Sequence, residues 1–162
     1  MNSKSKIFDC FLFFNELELL ELRLMELREI VDYFVIAETN KTHVGRPKDF
    51  LFEKYRNRYG PYLDKIIYVK VEDCPEYSED NISIIEHFQR DALMRGLKGK
   101  AKPGDKVLLS DLDEIPSVEA IKANIGRPDW VFLQLDLFYC YVNCQAAKSC
   151  GGTVMANYGT FA

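Results

Sequence analysis

The fold of this chain is decided by the segment KVLLSDLDEIP, residues 106–116. Its first part, an apolar run after a Gly-Asp turn, predicts a short buried β-strand. Three carboxylates follow within four positions: Asp111, Asp113 and Glu114. Ligands of open α/β sheets bind beyond the carboxyl ends of the strands, and carboxylates this close repel one another unless they bind a cation or a proton. Because oxygen ligands suit Mg²⁺ or Mn²⁺ better than Zn²⁺, the segment predicts a divalent metal site at a strand end.

The same acids also have a purely structural interpretation. Pro116 and Ser117 precede a helix predicted over residues 118–124. Acidic residues ahead of a helix interact favourably with its dipole and can cap its free N–H groups. Capping employs one of the three acids, or two, but not all three. Since carboxylate clusters at strand ends are enriched at functional sites, the spacing favours a metal or substrate role.

Outward from this segment, strand and helix patterns alternate along the chain. The alternation predicts an α/β fold with a mostly parallel sheet, flanked by helices and joined by right-handed crossovers. Beyond Pro128, an aromatic run over residues 130–141 predicts a long strand or a bent strand pair, and residues 151–155 predict one more short strand. The earlier strands are predicted over residues 7–14, 31–39 and 65–71, and the helices over residues 16–29, 50–59 and 82–97.

Size and composition describe an ordinary globular protein with one domain, residues 1–162. The chain is 48% hydrophobic and has a formal net charge of −4, which argues against nucleic acid as a general partner. No stretch has the length of a membrane span. The amino terminus resembles a signal peptide only faintly, because Asp9 interrupts its apolar run. Five cysteines without an evident framework predict reduced thiols and a cytoplasmic protein.

Two further segments carry charged residues that could face a ligand. The loop over residues 40–48 collects three basic residues and His43, and could bind a phosphate or a sugar hydroxyl through charge-assisted hydrogen bonds. A solvated basic loop is the alternative, and the sequence favours it slightly. Arg90 lies on the helix that precedes the acidic segment. It could reach the same crevice, or pair with Asp91 or Glu86 on the surface.

Taken together, five stretches resemble glycosyltransferase family 17. The most specific is the Asp-x-Asp-Glu-Ile-Pro sequence after an apolar strand, because an Asp-x-Asp pair alone is common. The likeness covers nearly the whole of this chain, but only the N-terminal part of the family's proteins. We therefore expect the C-terminal part of the family to be missing here. The five stretches are residues 7–16 (IFDCFLFFNE), 31–40 (VDYFVIAETN), 42–48 (THVGRPK), 89–92 (QRDA) and 110–116 (SDLDEIP).

The resemblance implies a Rossmann-like GT-A fold and a nucleotide-sugar donor, UDP-GlcNAc in the characterised case. It also implies transfer to a glycan hydroxyl with inversion at the anomeric carbon. Asp111 and Asp113 match the family's Asp-x-Asp motif. In GT-A enzymes generally, the last acid binds Mn²⁺ or Mg²⁺ and the first contacts the ribose or the water shell of the metal. The residues expected to contact the nucleotide are Asn15, Glu16, Glu38, Arg90 and Asp111.

The general base stays unassigned. A carboxylate should deprotonate the acceptor hydroxyl as it attacks, and Glu114 and Asp136 are the candidates present, although in this class of fold the base usually comes from a later part of the domain. Two other interpretations are open. One is a truncated remnant that binds nucleotide or metal without turnover, its edge covered by a second copy of the chain. The other is a haloacid-dehalogenase phosphatase, in which the Asp-x-Asp motif normally follows the first strand.

Overall fold

The computed structural model describes residues 5–138, 144–146 and 152–161. Within these residues, six strands form one mixed sheet. The strands are β1 (Ile7–Leu12), β2 (Tyr33–Thr39), β3 (Ile66–Val71), β4 (Lys106–Ser110), β5 (Val131–Phe132) and β6 (Val154–Asn157). Their spatial order is β3-β2-β1-β4-β6-β5. The first four strands are parallel to one another, and β6 runs antiparallel to both β4 and β5.

A crossover helix covers each face of the parallel strands. On one face, Leu20, Leu24 and Leu27 of the first helix pack against side chains of β1, β2 and β4. On the other face, Leu93 and Leu97 of the third helix pack against the alternate side chains of the same strands. Because both faces are covered, these strands are apolar almost throughout. The helices are α1 (Leu17–Leu27), α2 (Leu51–Lys54), α3 (Ile84–Leu97), α4 (Val118–Asn124) and α5 (Tyr158–Phe161), with a 3₁₀-helix at Arg56–Tyr62.

This architecture confirms the predicted α/β class, with a Rossmann-like, mostly parallel sheet of the GT-A kind. The chain leaves β1 toward β2 and β3 on one side and then returns, through α3, to β4 on the other side. The carboxyl ends of β1 and β4 therefore flank the point at which the strand order reverses. In open α/β sheets this is where ligands bind.

The sequence predicts a long strand or a bent strand pair over residues 130–141, and the described part of this run, residues 130–138, does not form the long strand. Within that part, only Val131–Phe132 pairs with β6. The residues that follow leave the sheet, and Gln134 and Asp136 among them line a cavity. Residues 139–141 lie outside the described part of the chain, as does Gly151 of the last predicted strand, and β6 begins at Val154.

The aromatic helix predicted over residues 50–59 is also shorter than expected. It divides into the single turn of α2 and a 3₁₀-helix, with non-helical angles at Tyr59 (φ −98°, ψ 20°). Pro61 lies within the second piece and lacks the amide that a continuous α-helix needs. Phe52 and Tyr59 stack nonetheless, with ring centroids 5.6 Å apart, so the segment still closes the core beside α1.

In the described residues, no helix is long and apolar enough to cross a membrane. Three cysteines have free thiols there, namely Cys10, Cys74 and Cys144. Burial raises the pKa of the Cys10 thiol well above its usual value, with a further contribution from the charge of Asp9. The other two cysteines of the sequence lie outside the described residues.

The close contact between α3 and the sheet gives a stability prediction at Gly96. A Cβ atom there would lie 2.5 Å from Cγ1 of Val35 and 2.9 Å from Cγ2 of Val69. Exchanging an exposed helical glycine for alanine usually gains about 1 kcal/mol. We expect Gly96→Ala to lose about 1–2 kcal/mol instead, because the stiff valine side chains cannot move aside without disturbing the core.

Urea unfolding of the purified chain measures this difference. The control is Gly104→Ala, where an added Cβ has no neighbour within 4 Å, and we expect a change within about 0.5 kcal/mol. A gain of stability in Gly96→Ala would contradict the packing described for α3.

Candidate functional site

A cleft of about 370 Å³ lies at the carboxyl ends of β1 and β4. Its volume is in the range typical of small-molecule sites. Four of the residues expected to bind the metal or the nucleotide line it together: Glu16, Arg90, Asp111 and Asp113. The remaining lining residues are Leu12, Phe13, Phe14, Leu19, His43, Glu86, Gln89 and Leu112.

Arg90 reaches the cleft from α3 and pairs with two carboxylates there. Its Nη2 lies 2.8 Å from Oδ1 of Asp111 and 3.1 Å from Oε1 of Glu86, one helical turn earlier. Burial lowers the pKa of Arg90, but the hydrogen bonds and charges of Asp111 and Glu86 more than offset this and raise the pKa overall. Arg90 therefore reaches the crevice and also pairs with Glu86, so both alternatives predicted from the sequence occur together.

Asp111 and Asp113 enter the same cleft from either side of Leu112. Leu112 is 4% exposed and anchors the loop in the core beneath α1. The two acids on either side of it are exposed. Asp113 has no hydrogen-bond or ion-pair partner among the residues that the structure describes, so its carboxylate is available to a ligand.

The donor set fits a metal ion that is shared with a ligand. Across the described residues, no group of three His, Cys, Asp or Glu side chains could hold a metal by itself. Mg²⁺, however, is usually bound through one or two carboxylates together with waters and substrate phosphates. Asp111 and Asp113 supply two carboxylates in one cleft. They therefore fit such a site, and not a cage built wholly from protein.

The backbone of this acidic loop is held by Arg23, which the sequence analysis did not single out. Arg23 lies on α1 and is completely buried. It forms a bidentate ion pair with Asp9 of β1, with both N···O distances 2.8 Å. The same guanidinium donates to Ser110 Oγ (2.7 Å) and to the carbonyls of Asp111 (2.8 Å), Leu112 (3.1 Å) and Glu114 (3.2 Å).

Glu114 folds the acidic loop instead of facing the cleft. Its Oε2 accepts a hydrogen bond from the backbone N–H of Asp111 at 3.0 Å. Its carbonyl accepts another from Thr153 Oγ1 at 3.0 Å. Helix α4 is capped by Ser117, whose Oγ accepts from the N–H of Ala120 at 3.1 Å. The cap of α4 is therefore a serine, which leaves the two aspartates free of that structural task.

Glu38, for which contact with the nucleotide is expected, is not among the residues that line the cleft. Its carboxylate is fully buried and accepts hydrogen bonds from Lys48 Nζ (2.7 Å), from the amides of Leu51 (2.7 Å) and Phe52 (3.0 Å), and from Tyr68 Oη (2.9 Å). Burial and the charge of Glu38 raise the pKa of Tyr68. These contacts join β2 to α2 and β3, so the structure gives Glu38 a role in folding.

The two candidates after β1 differ in position. Asn15 is exposed and is not among the residues that line the cleft. Glu16 lines the cleft, and its Oε2 accepts from the backbone N–H groups of Phe14 (3.2 Å) and Asn15 (2.9 Å). Glu16, not Asn15, thus organises the turn into α1.

Gln89 lines the cleft without having been given a role from the sequence, and His43 lines it from the loop considered there for a phosphate or a sugar hydroxyl. His43 is at the tip of the turn that closes residues 42–46, and Gly45 fixes that turn with a φ of +77°, close against Tyr77. Gln89 is buried and donates through Nε2 to the carbonyl of Ala37 at 2.7 Å. The signals present were the glycine two residues after His43 and the place of Gln89 directly before Arg90.

A second cavity, of about 600 Å³, adjoins the first and shares Asp113 with it. Its wall contains Asp136, the other candidate for the base, together with Leu133 and Phe138. Asp113 is therefore common to two concave surfaces, one built on β1 and β4 and the other on the segment after β5.

The sequence profile of Glycosyltransferase family 17 matches residues 1–156. The chain is 30% identical over 112 residues to the Beta-1,4-mannosyl-glycoprotein 4-beta-N-acetylglucosaminyltransferase of Homo sapiens, and 30% and 29% identical to the proteins of the same name from Rattus norvegicus and Mus musculus. The matched segment is 66% of this chain and 21% of each relative, so the chain spans a minor part of their length. Among solved structures, none matches significantly.

The buried pair predicts a large loss of stability in Arg23→Met. Removing one partner of a buried ion pair leaves an uncompensated charge, here Asp9, and typically costs about 3–5 kcal/mol. Chemical unfolding with urea gives the value. Arg28→Met is the control on the same segment, since its pair with Glu29 is exposed and is worth about 0–1 kcal/mol.

A double variant tests whether the cost arises from the stranded charge. Asp9→Leu combined with Arg23→Met removes both charges, and we expect it to recover part of the stability lost in Arg23→Met. A double variant less stable than Arg23→Met alone would mean that the carbonyl contacts of Arg23 matter more than its charge.

Proposed function

Since the chain belongs to glycosyltransferase family 17, we propose that its cleft binds a UDP-sugar, UDP-GlcNAc, through a divalent cation held by Asp111 and Asp113. The sugar is then transferred to a glycan hydroxyl with inversion at the anomeric carbon. The observation that carries this proposal is that the two acids of one short loop face the same cleft at the reversal point of the sheet.

The charge of the cleft supports a requirement for a cation. Its lining includes four acids (Glu16, Glu86, Asp111 and Asp113) but only one residue among the described positions that is always cationic, Arg90. A diphosphate that enters this cleft would be repelled by the four acids. A bound Mn²⁺ or Mg²⁺ would reduce that repulsion and, as a Lewis acid, stabilise the charge that develops on the leaving diphosphate.

The chain's own residues have distinct tasks in this proposal. Asp113 offers a carboxylate that has no partner within the described part of the chain, and Asp111 offers one from a backbone that Arg23 and Glu114 hold in place. Arg90 is the donor of charge-assisted hydrogen bonds to phosphate oxygens. The proposed sugar is supported by the relatives, whose name specifies an N-acetylglucosaminyltransferase.

The acceptor side is assigned to the second cavity, because it meets the donor cleft at Asp113. Inverting transfer needs a base that takes the proton of the attacking hydroxyl. Asp136 lines this cavity, whereas the carboxylate of Glu114 is engaged with the amide of Asp111. Of the two candidates, Asp136 is therefore the one that we propose as the base.

Thermal unfolding with UDP and Mn²⁺ tests the donor site. We expect UDP with Mn²⁺, at about 100 times the dissociation constant, to raise the Tm by about 5–10 °C. EDTA and the Asp113→Asn substitution should each abolish the shift. Asp129→Asn, which changes an exposed acid outside the cleft, should preserve it.

Two outcomes would contradict the proposal. One is stabilisation by UDP that persists in EDTA. The other is an equal rise of the Tm with inorganic phosphate, which would favour a phosphatase. Release of GlcNAc from UDP-GlcNAc, or its transfer to a mannosyl glycan, then distinguishes an active enzyme from a remnant that only binds.

A further inference from the structure

We propose that Arg90 is an exchangeable counter-ion of Asp111. When a cation binds, Arg90 releases Asp111 and pairs with the donor diphosphate instead. The cleft then binds cation and diphosphate together, and each alone only weakly. The inference rests on the proposed function and adds a residue that couples the two ligands. One nitrogen of Arg90, Nη2, contacts two carboxylates at once: it lies 2.8 Å from Asp111 and 3.1 Å from Glu86.

The ion pair between Arg90 and Asp111 is exposed to water and can dissociate. The side chain of Arg90 is 29% exposed and that of Asp111 is 56% exposed, and ion pairs that water reaches are weak. The buried pair of Arg23 and Asp9, with both side chains 0% exposed, is the opposite case. Water can therefore replace Arg90 at Asp111, while Arg23 stays in place.

Arg90 also has a second partner ready. Glu86 lies one turn earlier on α3 and already accepts a hydrogen bond from the same nitrogen. When Arg90 releases Asp111 it remains paired, so the movement leaves no isolated charge. The backbone of Asp111 stays in place when the pair opens, because its carbonyl and its amide are bound to Arg23 and Glu114.

These contacts predict opposite effects on the two ligands. While Arg90 occupies Oδ1 of Asp111, a cation that approaches the same oxygen meets a like charge. A diphosphate alone meets the acids of the cleft, and Arg90 is already neutralised. With both ligands present, the acids bind the cation and the planar guanidinium of Arg90 turns its N–H groups to phosphate oxygens, a geometry that it matches well. Coupling of this kind is reciprocal between the two ligands.

The test measures Mn²⁺ binding by electron paramagnetic resonance of the free ion, and UDP binding by calorimetry with and without Mn²⁺. For Arg90→Gln we expect affinity for Mn²⁺ alone to rise about 5-fold or more, and affinity for UDP in the presence of Mn²⁺ to fall by about the same factor. A merely structural role of Arg90 would weaken both. Glu86→Gln should lower affinity for Mn²⁺ alone, because Arg90 then has Asp111 as its remaining partner.

Arg95→Gln is the matched control, since Arg95 lies on the same helix and pairs with Asp73 away from the cleft. We expect it to leave every affinity unchanged. If UDP binds with Mn²⁺ but Arg90→Gln binds Mn²⁺ alone no more tightly than the original chain, the exchange of counter-ions is overturned and the donor site stands. If UDP does not bind under any condition, the proposed function fails and this inference fails with it.

Discussion

The arrangement of this protein depends on one buried ion pair, between Asp9 of β1 and Arg23 of α1. Taking both charges out of water is costly, and it is tolerated only where each polar atom finds a partner. Here the guanidinium satisfies both carboxylate oxygens, a serine hydroxyl and three backbone carbonyls. The pair therefore joins three pieces of chain that are distant in sequence: the first strand, the first helix and the loop after β4.

In the site, two arginines therefore bind different parts of the acidic loop. Arg23 binds the backbone of the acidic loop from below, and so fixes where the loop runs without occupying its side-chain carboxylates. Arg90 binds a carboxylate from above, at the solvent-exposed surface, where the contact can exchange. Such a loop, with a fixed backbone and a carboxylate held only by an exchangeable pair, would be preorganised for the proposed cation, because the ligand need not order the chain when it binds.

The sequence was sufficient for the parts of the fold that follow from periodicity. Covered strands between amphipathic helices predict a parallel sheet, and acids after the fourth strand predict a functional edge. Polar residues within apolar elements were harder, because their partners are remote: Asp9 required a buried cation, but no local spacing pointed to Arg23. Glu38 and Glu16 illustrate the same limit. Both follow or end a strand, yet only the tertiary contacts show that Glu38 closes the core while Glu16 lines the cleft.

The end of the parallel sheet explains why two cavities meet at one residue. Next to β4 the strand direction reverses, because β6 is antiparallel to it, and the segment after β5 departs from the sheet to form a wall of its own. The loop after β4 consequently has the cleft at β1 and β4 on one flank and the second, partly apolar cavity on the other. Leu112 is anchored in the core between these flanks, so Asp111 turns toward Arg90 while Asp113 lies where the two surfaces join. In the proposed transfer Asp113 would border both substrates, since the donor and the acceptor would approach it from different elements of the fold.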